Sequence, residues 1–284
     1  MHRVLLYIIL AFFFSLTFSV KAERAYCAKY EECREARWTD LKQVLFEDID
    51  LKSGEGIIEL STPTRAPDAA FVPIRFKTHK LKNQDDFITK VHLIIDMNPS
   101  PYSGTFKFAT NIDQIELATR VRLDAYSKVR VIAETKKGDY FMAANFVRGS
   151  GGCAAPPLGD LDNMIATAGK MKIKVKKIEE IDGIVEAKIM ILHPQFNGLQ
   201  ANPATTEMIP AYYIENYEVT YNDKIVMALE SDISISQDPT FRFMFPSDKG
   251  GKLKITARDT AGKEYTFSKE YEYKDNQLTE VASK

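Results

Sequence analysis

A chain of 284 residues with 38 Lys and Arg against 39 Asp and Glu is close to neutral. That balance excludes the field-driven attraction that recruits nucleic acid. The histidines (His2, His79, His92 and His193) stand at no ligand spacing from the three cysteines, and no C-x-x-C-H haem signature is present.

At the N-terminus, His2 and Arg3 lead into LLYIILAFFFSLTFSV, and Val20-Lys21-Ala22 offers small residues for cleavage. The apolar run comes close to spanning length. Ser15 and Thr17 interrupt it and no basic stop-transfer cluster follows, so residues 1–22 read as a cleaved signal peptide and not a membrane anchor. Tyr26 is too large to precede a lipidated Cys27. The mature chain of about 260 residues exceeds what one sandwich domain needs, which predicts two domains.

Residues 23–148 open with one helical segment, EECREARWTDLKQVLF, and then turn to β-structure. VPIRFKTH, ITKVHLIIDMNP and GTFKFAT are strand runs, and Phe106 and Phe108 share a face of the third. In TRVRLDA, Val121 and Leu123 alternate with Arg120 and Arg122. KVRVIAE and DYFMAANFV flank TKKG, a hairpin signal. Residues 149–169 break the rhythm, and FVRGSGGCAAPPLGD (146–160) leads into them as a Gly/Ala/Pro-rich stretch around Cys153. Strands resume over 170–275. KIKVKKIEE and IVEAKIMIL meet at Asp182-Gly183, YEVTY and IVMAL at Asn222-Asp223, and FRFMF, KLKITARD and EYTFSKEYEY complete the set. Residues 276–284 form a tail. The basic KMKIKVKK alternates Lys with Met171, Ile173 and Val175, which is one wet face of a strand and no nucleic-acid patch.

Six or seven short strands per half predict an all-β chain of two immunoglobulin-like antiparallel β-sandwich domains, joined by a cysteine-bearing arm. The pairs Glu31-Glu32, Asp85-Asp86 and Glu179-Glu180 fall in loops or at element ends and read as solvated. G-x-S-x-G, H-E-x-x-H and a phosphate-cradling glycine loop are all missing from the sequence, so no catalytic, metal or cofactor site is expected.

Cysteine arithmetic sharpens the question of Cys153. In an exported protein thiols pair. Cys27 and Cys33, six apart in CAKYEEC, are placed for a local disulfide that leaves Cys153 as the odd thiol. Alternatively, Cys153 pairs with one of them and pins its own loop. No local base is evident, so the thiol pKa is expected near about 8.5, lower if Arg148 lies close.

The first half resembles the sulfur-oxidation carrier subunit SoxY in Val72–Pro73, LIIDMNPSP (Leu93–Pro101), TRVR (Thr119–Arg122), VRVIAET (Val129–Thr135), GDYFMA (Gly138–Ala143) and Gly151-Gly152-Cys153. The second half resembles the partner subunit SoxZ in MKIKVKKIEEIDGIVEAKIMILHP (171–194), Gly198, IPAYYI (209–214) and GGKLKITARDTAGK (250–263). The fused order is similar to that of quinoprotein dehydrogenase-associated SoxYZ-like carriers.

This resemblance implies a carrier and not an enzyme. Cys153 would hold a sulfur-containing intermediate covalently. Gly149, Gly151, Gly152, Ala154 and Ala155 would form a slim, exposed, mobile arm, stiffened on exit by Pro156 and Pro157. The implied partners are periplasmic oxidation enzymes, Sox-type or quinoprotein dehydrogenase-linked, with cytochrome c. Neither nucleic acid nor a stable membrane anchor is implied. Two features depart from the family pattern. The arm continues into a second domain where the family's arm ends its subunit, and HPQFNGLQANPATTEMIP replaces an acidic loop. His193 and Gly198 could support the arm from below, although by the turn logic of proline His193-Pro194 ends a strand. The competing readings are a Cys-dependent enzyme (thiol peroxidase or transferase) and a non-catalytic periplasmic binding module.

Overall fold

A computed structural model describes residues 27, 29–83, 85–108, 114–178, 183–247, 249–274 and 277–281. The signal-peptide reading of 1–22, the Glu179-Glu180 pair, Asp182 of the second hairpin and residues 282–284 of the tail lie outside them.

The first half begins with helix α1 (Glu31–Phe46) and continues with β1 (Leu51–Ser53), β2 (Ile58–Ser61), β3 (Val72–Thr78), β4 (Ile88–Ile95), β5 (Tyr102–Phe108), β6 (Glu116–Val121), β7 (Ser127–Thr135) and β8 (Tyr140–Val147). A short helix α2 (Leu161–Thr167) precedes β9 (Met171–Lys177), β10 (Ile184–Ile191), β11 (Ile214–Tyr221), β12 (Lys224–Ser231), β13 (Thr240–Pro246), β14 (Gly251–Asp259), β15 (Glu264–Lys274) and β16 (Gln277–Glu280). Strand burial alternates as the sequence pattern dictates: β3 hides Val72, Ile74, Phe76 and Thr78 and turns Pro73 and Arg75 outward. Asn222 and Asp223 take φ of 49° and 62°, the left-handed pair a tight hairpin requires between β11 and β12.

Both halves are antiparallel sandwiches apart from β1, which pairs with β8 in parallel, but they are not separate bodies. One sheet runs β1-β8-β7-β4-β5-β12-β11-β14-β15-β16 and the other β2-β3-β6-β13-β10-β9. Each sheet therefore crosses from one half into the other, through the β5–β12 ladder in the first (Phe106 opposite Leu229) and through β6–β13 in the second (Leu117 opposite Phe243). A single apolar core follows the sheets, with Phe106 and Phe241 in edge-on contact at 6.4 Å across the junction.

Helix α1 lies on the outer face of the ten-stranded sheet, where Trp38 and Phe46 cover Ile94 and Ile132. Arg130 sits 3.9 Å from the Trp38 ring and pairs with buried Asp96 at 2.9 Å. Cys27, ahead of the helix, is joined to Cys33 in its first turn by a disulfide that packs on Met97 and Ala125. Asp86 departs from the solvated reading: it is buried, and its carboxylate accepts the N–H groups of Phe87 and Lys137 at 3.0 and 3.1 Å. Glu31, Glu32 and Asp85 are exposed. Among the described residues, no helix is long and apolar enough to cross a membrane.

Candidate functional site: a seated thiol loop

Cys153 retains its thiol, and it is fully buried. The expectation of an exposed thiol is thus corrected. Ala154 is exposed and Ala155 half-buried, while Gly149, Gly152 and Pro157 face inward. The burial has a hydrogen-bonding cause, since a loop can leave solvent only if its backbone groups find partners.

Those partners come from both halves. On the entry side, Arg148 donates its N–H to Thr64 O at 3.0 Å and accepts from Ala66 N at 2.9 Å. Arg148 itself is exposed. Gly151 and Gly152 donate to Asp124 O and Leu123 O, each at 2.8 Å. Gly152 lies so close to the first half that a Cβ there would stand 2.0 Å from Ala69 O and 2.8 Å from Leu123 O. Gly151 is different: its φ of +79° demands glycine, but a Cβ would meet nothing within 4 Å. Arg122 donates through Nη1 to Gly152 O at 3.1 Å.

The second half supplies amides. Asn197 Nδ2 donates to Cys153 O at 2.7 Å, and Gln200 Nε2 to Ala155 O at 2.8 Å. Further along, Gln237 accepts from Leu158 N and donates to Leu158 O, both at 3.1 Å. The loop HPQFNGLQ thus lies under Cys153 as a donor platform, with Gly198 at φ +80° making its turn. His193 makes no contact of its own with the thiol loop among the hydrogen bonds of the described residues. It is buried, its ring 4.6 Å from the Tyr212 ring and its Nε2 3.9 Å from Asp259, and its Nδ1 accepts the Gln195 N–H at 3.2 Å.

Behind the loop, Asn98 is wholly buried and bridges the halves. Its amide donates to Arg122 O at 2.8 Å and Ser234 Oγ at 2.9 Å, while its oxygen accepts Asp124 N at 2.9 Å. Ser236 Oγ reaches across to Ala70 O at 2.7 Å. The thiol therefore occupies the seam between the halves, and neither half alone completes its surroundings. Sequence reasoning found Cys153 and its glycines but missed Arg122, Asn98, Asn197, Gln200 and Gln237. The available signal was the Asn- and Gln-rich stretch from 195 to 200 that follows His193-Pro194. Among the described residues, no cluster of His, Cys, Asp and Glu is placed to hold a metal.

Fold and site together define an all-β, immunoglobulin-like double sandwich built around one seated Gly-Gly-Cys loop. Residues 42–153 match the family model of the sulfur oxidation protein SoxY, a match that ends on Cys153 itself, and residues 171–270 match that of the sulphur oxidation protein SoxZ. The chain is thus a fused SoxY-like and SoxZ-like protein, in that order, of the sulfur-carrier type. Among solved structures, it is similar to the sulfur carrier protein SoxY from Chlorobium limicola f thiosulfatophilum, with 19% identity over 46% of this chain and 98% of that one and a TM-score of 0.33. A β-glycosidase from Bacteroides vulgatus aligns at 10% identity over 74% of this chain and 24% of that one, with a TM-score of 0.22. No curated protein matches the chain.

Proposed function

We propose that this protein carries a sulfur-containing intermediate covalently on the Cys153 thiol and presents it to partner oxidation enzymes. The observation that supports this reading most is the position of the thiol. It stands at the end of the SoxY match, between Gly-Gly and Ala-Ala, in a seam that the SoxZ half completes. We take 149–169 as arm and linker between a SoxY-like unit (23–148) and a SoxZ-like unit (170–275). The compartment is the periplasm, reached through the signal peptide, and the partners are Sox-type or quinoprotein dehydrogenase-linked enzymes.

The buried seat adds a step to this function. Loading requires the loop to lift, breaking the contacts from Asn197, Gln200 and Arg122 that hold its carbonyls. Between deliveries, the same contacts would shelter the thiol from the oxidising compartment. Intact-mass measurement of protein purified natively from its source is the test. A mass increment located on Cys153 is expected, and Cys153→Ser should abolish both the increment and complementation of a deletion strain. Full complementation by Cys153→Ser would end the carrier reading and favour a binding module.

A further inference from the structure

Arg122 is among the largest fully buried side chains of the described residues. It follows the last residue of β6, where the chain leaves the sheet. Its Nη1 is spent on Gly152 O, and its Nε has no hydrogen-bond partner. Asp96 meets another buried arginine, Arg130, with a close ion pair; no carboxylate among the described residues does this for Arg122. A buried guanidinium without a counter-charge is strongly unfavourable.

Two groups of opposite charge are near enough to act on it. Burial lowers the Arg122 pKa, while Cys153 and Asp68 each pull it back up. Asp68 is exposed, with Oδ1 held by the Ala70 N–H at 2.7 Å, so water screens it. The remaining groups around the seat do not compete. Arg148 is exposed, and the half-buried Asp124 is not among the charges that act on Arg122. His193 is pushed down to about 4, chiefly by burial, and faces Asp259. The platform from 195 to 200 contributes only amides as polar side chains. Among the described residues that act on Arg122, the buried one of opposite charge is the Cys153 thiolate.

We infer that Arg122 is a positioning residue that holds seated Cys153 as a thiolate, the two forming a buried ion pair at the seam. Seating then does more than shelter the sulfur. It keeps the sulfur in its nucleophilic form, ready to react when the loop lifts. The inference rests on the carrier reading for its purpose but not for its test.

The test is a pH titration of the thiolate absorbance near 240 nm, taken as the difference between the full chain and its Cys153→Ser variant, which cancels the tyrosines. A midpoint below the ordinary cysteine value of about 8.5 is expected. Arg122→Met should raise it by about one pH unit or more, and Arg122→Lys should keep most of the depression. Asp68→Asn preserves the acceptor for Ala70 N and should lower the midpoint further. A wild-type midpoint at or above about 8.5, or one unmoved in a folded Arg122→Met, overturns the inference. If Arg122→Met does not fold, the wild-type midpoint alone decides. A depressed midpoint in protein that never acquires an adduct would sink the carrier reading and leave the ion pair standing. An adduct with an ordinary midpoint would do the reverse.

Discussion

At the scale of single residues, Gly151 and Gly152 look alike in sequence and do different work. Gly151 is exposed and needs its left-handed φ, so Gly151→Ala should cost about 1 kcal/mol of stability and leave the thiol seated. Gly152 needs the absence of a side chain, because a methyl group would overlap Ala69 O. Gly152→Ala should therefore unseat the loop, speeding modification of Cys153 by a neutral thiol reagent at least about 10-fold, which corresponds to about 1.4 kcal/mol in the opening equilibrium. Equal labelling rates in the two variants would show that Gly152 packing does not hold the thiol in. The residues around this loop were only partly legible. Arg122 reads as the wet face of an alternating strand beside Arg120, but alternation holds only while the strand lasts. β6 ends at Val121, and Arg122 turns into the seam.

At the scale of elements, the strands were legible because period-two burial and turn chemistry agree along each of them, as in the Asn222-Asp223 hairpin. The loop after β10 was not. His193-Pro194 announces the end of a strand, and β10 does stop at Ile191, yet nothing local shows that the following turn becomes the floor of the thiol site. Nor does it show that His193 becomes core. Burial, only partly offset by the Asp259 carboxylate, pushes its pKa down to about 4. The unfolded state, with a pKa near 6.5, then takes up the proton first as the pH falls. Stability present above about pH 6.5 is lost progressively toward pH 4, by up to about 3 kcal/mol. His92, also lowered by burial, adds to the same trend. His193→Asn can retain an acceptor for Gln195 N and should flatten the dependence. Urea unfolding at pH 7 and pH 4.5 is the check: an equal loss in parent and variant would remove His193 as the cause.

At the scale of the whole molecule, the two halves were legible and their junction was not. An edge strand that will pair with the other half carries the same alternating pattern as one that faces solvent, so β5–β12 and β6–β13 leave no mark in the sequence. The junction has a physical consequence that proteolysis can test. Helix α2 buries none of its residues, so cleavage within Leu161–Thr167 removes no core. The cut chain should nevertheless elute as one species at micromolar concentration, since two ladders and a continuous core still join the pieces. Separation on a sizing column would show that the linker, and not the shared sheets, keeps the halves together. The same sample addresses the seat. A cut at α2 leaves Cys153 on an arm tethered at one end, as in a two-subunit carrier, while Asn197, Gln200 and Gln237 keep their hold on its backbone. Thiol labelling of the nicked protein should therefore stay within about threefold of the intact chain, less than the loss of one such hydrogen bond would produce at about 1 kcal/mol. A much larger increase would mean that the covalent tether keeps the thiol buried and that the amide platform contributes little.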